Sequence, residues 1–333
     1  MVNLGIQILK MILCFWVVLL HSYSFSNKLI FEIFFQRRFH VPTFIIISFY
    51  FFYYNISQRN IMKIKLRFER LLFPYILIPL IIWVFNNLIY IFFNINRFKS
   101  KLSINILIYQ LIFGRIYYNI FWYLFNLIFI TLFFTIISFI FKHKFLLIFT
   151  IFLLISYLLQ YSKYNFIFFN QYNDNIKYSL GNLIEIIPFA VIGLLFGSIN
   201  LIEKLKKYRL KVIYLCFFNL YFLFKYHLFK NIKGFFYPGI IHCIGGIFLF
   251  ICFSLIPLEN IKNKTIISAC KCISNYTGGI YYFHIIIRNY MRILSKFITK
   301  SFYGSIVIYL INYLLCFIGI KIFGKTKLKY LFY

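Results

Sequence analysis

Two ionisable residues lie within the first long apolar stretch of the chain. Lys10 and His21 are eleven residues apart, which is close to three helical turns, so a helix would place them on one face about 16 Å apart along its axis. Imidazole, with an ordinary pKa of ~6.5, suits general base catalysis, and it can also act as a nucleophile. The structural alternative is that Lys10 reaches lipid headgroups while His21 hydrogen-bonds to a neighbouring helix.

A second candidate group is a pair of arginines in a basic stretch that precedes an apolar run. Arg67 and Arg70 are at positions i and i+3, so a helix would present both guanidinium groups on one face. The planar guanidinium binds phosphate oxygens bidentately, which makes such a pair suitable for a phosphate-rich ligand. The alternative is a positively charged anchor at the foot of the next membrane span.

Two further polar residues lie inside apolar runs and are secondary candidates. Glu185 would need a partner or a proton in lipid, and it could orient an imidazole or bind ligand hydroxyls. For His284, helix packing is the alternative to a functional role. The seven cysteines are scattered and their spacing predicts no metal site.

The composition of the 333 residues decides the class of protein. Hydrophobic residues make up 63% of the chain and its mean hydropathy is +0.85, which excludes a water-soluble globular protein and a disordered chain. The net charge of +30 would suggest nucleic acid for a soluble protein. Here the basic residues lie mainly between apolar runs and are expected to face lipid headgroups, so no nucleic-acid partner is predicted.

The apolar runs predict an all-α, polytopic membrane protein with about ten transmembrane helices in a single domain, 1–333. The stretch 104–113 is too short to span and is expected to be re-entrant or interfacial. Lysine and arginine positions favour cytoplasmic N- and C-termini, in a plasma or inner membrane. The predicted spans lie near 6–25, 41–57, 74–94, 121–141, 145–162, 181–199, 212–229, 239–257, 273–290 and 305–323.

Five segments, taken in order, resemble the acyltransferase-3 family of integral-membrane acyltransferases. The family's Arg/Lys-x10-His motif is matched by Lys10 and His21, and its R-x-x-R motif by Arg67 and Arg70. One departure is Phe49, which stands where the family usually has glycine and argues against close helix packing there. The segments are KMILCFWVVLLHS (10–22), HVPTFIIISFYFF (40–52), RFERLLFPYILI (67–78), FWYLFNLIF (121–129) and ISNYTGGIYYFHIII (273–287).

The resemblance implies transfer of an acyl group, expected to be acetyl, from acyl-CoA to a hydroxyl of a cell-surface or lipid-linked carbohydrate. His21 would be the base or nucleophile, Lys10 would steady the donor or tune the imidazole, and Arg67 and Arg70 would hold the donor phosphates. Acyl-CoA is then a substrate, and no bound cofactor is expected. A transporter or flippase for a polysaccharide or small solute is the alternative, although no internal repeat supports it. The sequence does not fix the oligomeric state.

Overall fold

The computed structural model describes residues 3–22, 39–93, 103–114, 121–141, 144–163, 174–229, 239–258, 263–294 and 302–332. All regular structure within these ranges is helical. The α-helices are α1 Leu4–Ser22, α2 His40–Ser57, α3 Ile61–Phe93, α4 Ile104–Phe113, α5 Phe121–Ile140, α6 Phe145–Lys163, α7 Asp174–Ser198, α8 Leu201–Leu205, α9 Arg209–Phe229, α10 Gly239–Leu255, α11 Lys264–Asn275, α12 Thr277–Leu294 and α13 Phe302–Phe323. Two 3₁₀ helices cover Lys206–Tyr208 and Lys327–Leu331.

Among the described residues, five helices are long and apolar enough to cross a membrane. The segments are Leu4–His21, Ile61–Phe92, Phe121–Ile140, Gly181–Ser198 and Tyr303–Phe323. Large apolar side chains such as Leu132, Phe218 and Leu310 are exposed on outer faces, as expected where lipid surrounds a protein. An all-helical integral membrane protein is therefore confirmed, whereas the count of ten spans stays a prediction.

Two helical boundaries differ from the predicted spans. The third predicted span, 74–94, belongs to a longer helix that begins at Ile61, so the basic stretch continues directly into it. The ninth predicted span, 273–290, is divided at Tyr276 into the end of α11 and most of α12. Apolar content alone does not reveal such a break, because a break between two apolar helices leaves the hydropathy of the stretch almost unchanged.

Helix α1 lies between two apolar clusters and packs on both. Leu9 and Leu13 belong to the larger cluster, which is built mainly from α2, α5, α6, α7 and α10. Cys14 and Val18 belong to the second, built mainly from α3, α5, α12, α13 and the 3₁₀ helix Lys327–Leu331. The helix that carries Lys10 is thus central to the bundle, and each of its faces is specified by a different set of neighbours.

Side-chain contacts show that α1 and α12 run parallel. The hydroxyl of Ser274, at the end of α11, donates to the amide oxygen of Gln7, and the Cys14 thiol lies 3.6 Å from the Thr277 carbonyl oxygen. The rings of His21 and His284 meet at the far ends of these helices. Contacts therefore advance in the same direction along both helices.

The contact between α2 and α7 involves a small-residue motif that was not among the predicted features. Gly193 and Gly197 form a G-x-x-x-G pattern on α7, which packs most extensively on α2. A Cβ at Gly193 would lie 3.0 Å from the Cβ of Phe49 and 2.5 Å from the carbonyl oxygen of Ile46. Close packing at Phe49 is therefore retained, because the small residue is on the facing helix, and the expectation of loose packing there was wrong.

Gly193→Ala should destabilise the α2–α7 contact. The added methyl group would also lie 3.0 Å from the backbone nitrogen of Tyr50, so helix backbones rather than flexible side chains must move. Overpacking of this kind costs about 1–3 kcal/mol, which predicts a lower thermal midpoint in detergent. Ser198→Ala on the same helix is the control, and equal midpoints for the two variants would contradict the packing argument.

Candidate active site

Two histidines meet where α1 and α12 approach each other. The ring centroids of His21 and His284 are 5.2 Å apart, with the ring planes inclined at 39°. The side chain of His284 is fully buried, whereas His21 is exposed at the end of α1. The two residues, hereafter the histidine pair, thus combine a fixed imidazole with one that a ligand can reach.

The hydrogen bond of His284 decides which of its ring nitrogens can act as a base. Nδ1 lies 2.7 Å from the carbonyl oxygen of Tyr281, and a carbonyl accepts only, so Nδ1 must carry the proton. In the neutral ring Nε2 then holds the lone pair. Nε2 is buried and has no hydrogen-bond partner among the described residues, so its lone pair is free to accept a hydrogen bond from a neighbouring group.

One arginine ties the ends of the two helices together. Nη1 of Arg288 donates to the backbone carbonyl of His21, and its Nη2 donates to Oδ1 of Asn289 at 3.1 Å. Arg288 follows His284 by one helical turn. The same stretch of α12 therefore carries the His284 ring and binds the backbone of His21. This contact was not predicted, because nothing in the spacing of residues links Arg288 to α1.

Aromatic rings surround the buried member of the pair. The Tyr281 ring lies 5.9 Å from the His284 ring, and the Tyr123 ring of α5 lies 5.1 Å from that of Tyr281. These contacts place α5 beside the histidine pair. Together with the Nδ1 hydrogen bond, they restrict rotation of the His284 ring.

Lys10 lies on the face of α1 that meets the junction of α11 and α12. Gln7, Lys10, Cys14 and His21 recur at helical spacing and share this face, and Lys10 lies between the contacts of Gln7 and Cys14 described above. Its side chain is half-buried, and its ammonium has no ion pair or hydrogen bond with any described residue. The four side chains and their α11–α12 partners are called the polar seam below. An uncompensated cation in a membrane helix is costly, which suits contact with an anionic or strongly polar ligand.

Arg67 points into the bundle. Nε donates to the Thr131 hydroxyl at 3.2 Å, Nη1 to the Ser48 carbonyl at 3.3 Å and Nη2 to the Ser48 hydroxyl at 2.9 Å. Its Cζ also lies 4.9 Å from the Phe49 ring centre and 4.5 Å from that of Phe52. The guanidinium therefore holds α2, α3 and α5 together, and all three of its nitrogens have protein partners.

Arg70 has a different environment although it is one turn away. Its side chain is exposed, and its Cζ lies 5.9 Å from the ring of Tyr330 in the 3₁₀ helix Lys327–Leu331. The structure thus separates the surroundings of Arg67 and Arg70, which the spacing had placed on one face. Arg70 is the member of the pair that a soluble ligand can reach.

Glu185 is buried in α7, where 7% of its surface is exposed. This helix packs mainly on α2 and α6, whereas the histidine pair lies between α1 and α12. The structure therefore pairs His284 with His21, and it places Glu185 on a helix that packs mainly on other elements. Among the described residues, no group of three or more metal-ligating side chains is present.

Comparison with known proteins identifies one family. The sequence model of an acyltransferase domain, acyltransferase 3, matches residues 3–321, nearly the whole chain. No curated protein and no solved structure matches the chain.

Proposed function

The chain belongs to the acyltransferase-3 family and is a membrane acyltransferase, and from this premise we propose that it moves an acyl group, in the first instance acetyl, from acyl-CoA to a carbohydrate hydroxyl. The histidine pair is the observation that carries the proposal. His21 is reachable by a ligand, and the adjacent His284 offers a lone pair whose direction is fixed by the Tyr281 carbonyl. Proton transfer from a hydroxyl requires groups of this kind.

The chemical step uses His21 as general base. Its imidazole takes the proton from the acceptor hydroxyl as the oxygen attacks the thioester carbonyl carbon. The C–S bond then breaks, the acyl group remains on the acceptor oxygen, and the CoA thiolate takes the proton from His21 and leaves as the thiol. The protonated His21 ring can donate its other N–H to Nε2 of the neighbouring His284, which stabilises the charge that forms on His21. Acyl-CoA and the acceptor hydroxyl are the two reactants of the balanced step.

The donor is proposed to lie along the polar seam. Arg70 is exposed at the end of the bundle where α3 begins, and it suits the donor phosphates. Lys10 lies between that end and His21, and its ammonium can hold a polar part of the donor arm. Arg67 acts through α3, by holding the helix that presents Arg70. The acceptor carbohydrate would reach His21 from the opposite end of α1.

The alternative function is transport, which would use the same helices but would not require acyl-CoA. The test is label transfer from acetyl-CoA labelled in the acetyl group to a panel of glycans, with the protein reconstituted in lipid vesicles. The proposal expects label in a glycan only when both protein and acetyl-CoA are present. Solute movement without acetyl-CoA, together with absent donor binding, would instead establish transport. Donor binding without transfer would retain the acyltransferase and reject the glycans tested as acceptors.

A further inference from the structure

Two basic side chains lie against one ring near the start of α3, and a third pairs with the neighbouring Glu69. Cζ of Arg70 lies 5.9 Å from the Tyr330 ring centre, and Nζ of Lys329 lies 5.5 Å from the same centre. Lys327 approaches the carboxylate of Glu69 at 3.6 Å. Arg70, Lys327 and Lys329, hereafter the basic cluster, therefore bring together α3 and a 3₁₀ helix that is distant in sequence.

The 3₁₀ helix is held in place by a tightly fitted phenylalanine. The Phe332 ring stacks on Phe323 at 6.0 Å and on Phe283 at 5.7 Å. A Cβ at Gly279 of α12 would lie 2.8 Å from both the Cα and the carbonyl oxygen of Phe332. Gly319 of α13 lies against the Phe332 ring. The positions of Lys327 and Lys329 are thus fixed by the helix that carries His284.

The basic cluster has an excess of positive charge. Glu69 is the only acidic residue of α3, and 324–332 contains none, so one carboxylate faces three cations. Lys327 and Glu69 are 71% and 28% exposed in their side chains, so their pair contributes little to stability. Cations held close together repel one another. A bound anion with several oxygens would remove that repulsion, and phosphate meets both the Arg fork and the Lys point charges.

We propose that the basic cluster binds phosphate groups of the acyl donor, so that the 3₁₀ helix Lys327–Leu331 is part of the donor site. The proposal rests on the proposed function and extends the donor site beyond Arg70 to Lys327 and Lys329. Because Phe332 packs against α12 close to its first residue, the cluster lies at the end of α12 opposite the Arg288 end. His284 is seven residues beyond Thr277, or about 10 Å along the axis, which leaves the reactive end of a long donor within the seam.

Kinetics with two donors test the proposal in nanodiscs. Acetyl-CoA carries the phosphates, whereas S-acetylpantetheine carries the same thioester without them. The double variant K327Q/K329Q should raise KM for acetyl-CoA about tenfold, as expected for two partly exposed charge contacts, and leave kcat unchanged. Its KM for S-acetylpantetheine should equal that of the wild type. Lys204→Gln, an exposed lysine on α8, is the matched control and should change neither value.

A second variant tests the position of the basic cluster without changing its charge. Gly279→Ala must displace the backbone at Phe332 while every cation remains, so it should also raise KM for acetyl-CoA selectively. An unchanged KM for acetyl-CoA in both K327Q/K329Q and Gly279→Ala, or an equal rise for the two donors, would overturn the proposal. If wild type neither binds nor uses acetyl-CoA, the proposed function itself fails, which is a different result.

Lipid composition distinguishes the donor from a lipid headgroup as the source of the phosphate. The assays are run in phosphatidylcholine nanodiscs with and without phosphatidylglycerol. If the cluster binds the donor, K327Q/K329Q should raise KM for acetyl-CoA selectively even in nanodiscs that contain only phosphatidylcholine. If the cluster instead binds anionic lipid, K327Q/K329Q should retain less phosphatidylglycerol than the wild type, and its KM for acetyl-CoA should be unchanged. That result would reject the donor assignment.

Discussion

His21→Ala is expected to lower kcat for acyl transfer by about 100- to 10,000-fold, the usual contribution of a positioned general base. The residue is exposed at the end of α1, so its removal should leave the helix packing intact. Label transfer from acetyl-CoA to the glycan acceptor measures the effect, and donor binding should remain near wild type. Transfer at the normal rate in His21→Ala would show that the assignment of the base is wrong.

His284→Asn divides the role of the second ring into structure and chemistry. The asparagine amide can still donate to the Tyr281 carbonyl as Nδ1 does, but it offers nothing at the position of Nε2. We expect kcat to fall about 10- to 100-fold, which corresponds to one hydrogen bond to a charged group of about 1.5–3 kcal/mol. His242→Asn is the control, because His242 is also buried, at 1% exposure, but lies beside Phe39. Equal losses in the two variants would indicate packing alone.

Arg67→Ala is expected to destabilise the folded protein strongly. The change removes three hydrogen bonds and two ring contacts that join α2, α3 and α5, and it leaves the Ser48 and Thr131 groups without this donor. Hydrogen bonds from a charged group contribute about 1.5–3 kcal/mol each, non-additively. We therefore expect a loss of about 3 kcal/mol or more, measured as a lower thermal midpoint and a smaller yield of monodisperse protein in detergent.

Arg70→Ala is the matched control for that measurement. Its exposed side chain should contribute little to stability, so the thermal midpoint should stay near wild type while KM for acetyl-CoA rises. Arg67→Lys keeps the charge but not the guanidinium fork, and it should be intermediate in stability. An unchanged midpoint in Arg67→Ala, together with a higher KM, would give Arg67 the donor role instead.

The candidate site was partly predictable because some of its geometry is local. The spacing of Lys10 and His21 places both on one face of α1, since the helical period is set by the backbone. The sequence also placed His284 among the candidates, through a motif on the late helix. It did not join His284 to His21, because that contact depends on α1 and α12 running side by side although they are far apart along the chain.

Arg67 and Arg70 show the limit of the same periodicity. Their spacing predicts a shared face, but a long side chain takes its direction from its neighbours. Ser48 and Thr131 draw Arg67 inward, whereas Tyr330 lies beside Arg70. Those neighbours come from other helices. Spacing alone therefore does not show that Arg67 links helices whereas Arg70 is exposed to a ligand.

The sequence by itself determined the class of protein, the approximate positions of its apolar helices and its family, because hydropathy and motif order are properties of the chain. Only the tertiary structure decided the pairing of His21 with His284, the proton position on Nδ1 of His284 and the seat of Phe332 between α12 and α13. These features depend on which surfaces meet. In this bundle the pairing of helix surfaces is specified by the fit of small residues such as Gly193 and Gly279 against residues of other elements. No local sequence pattern encodes that pairing.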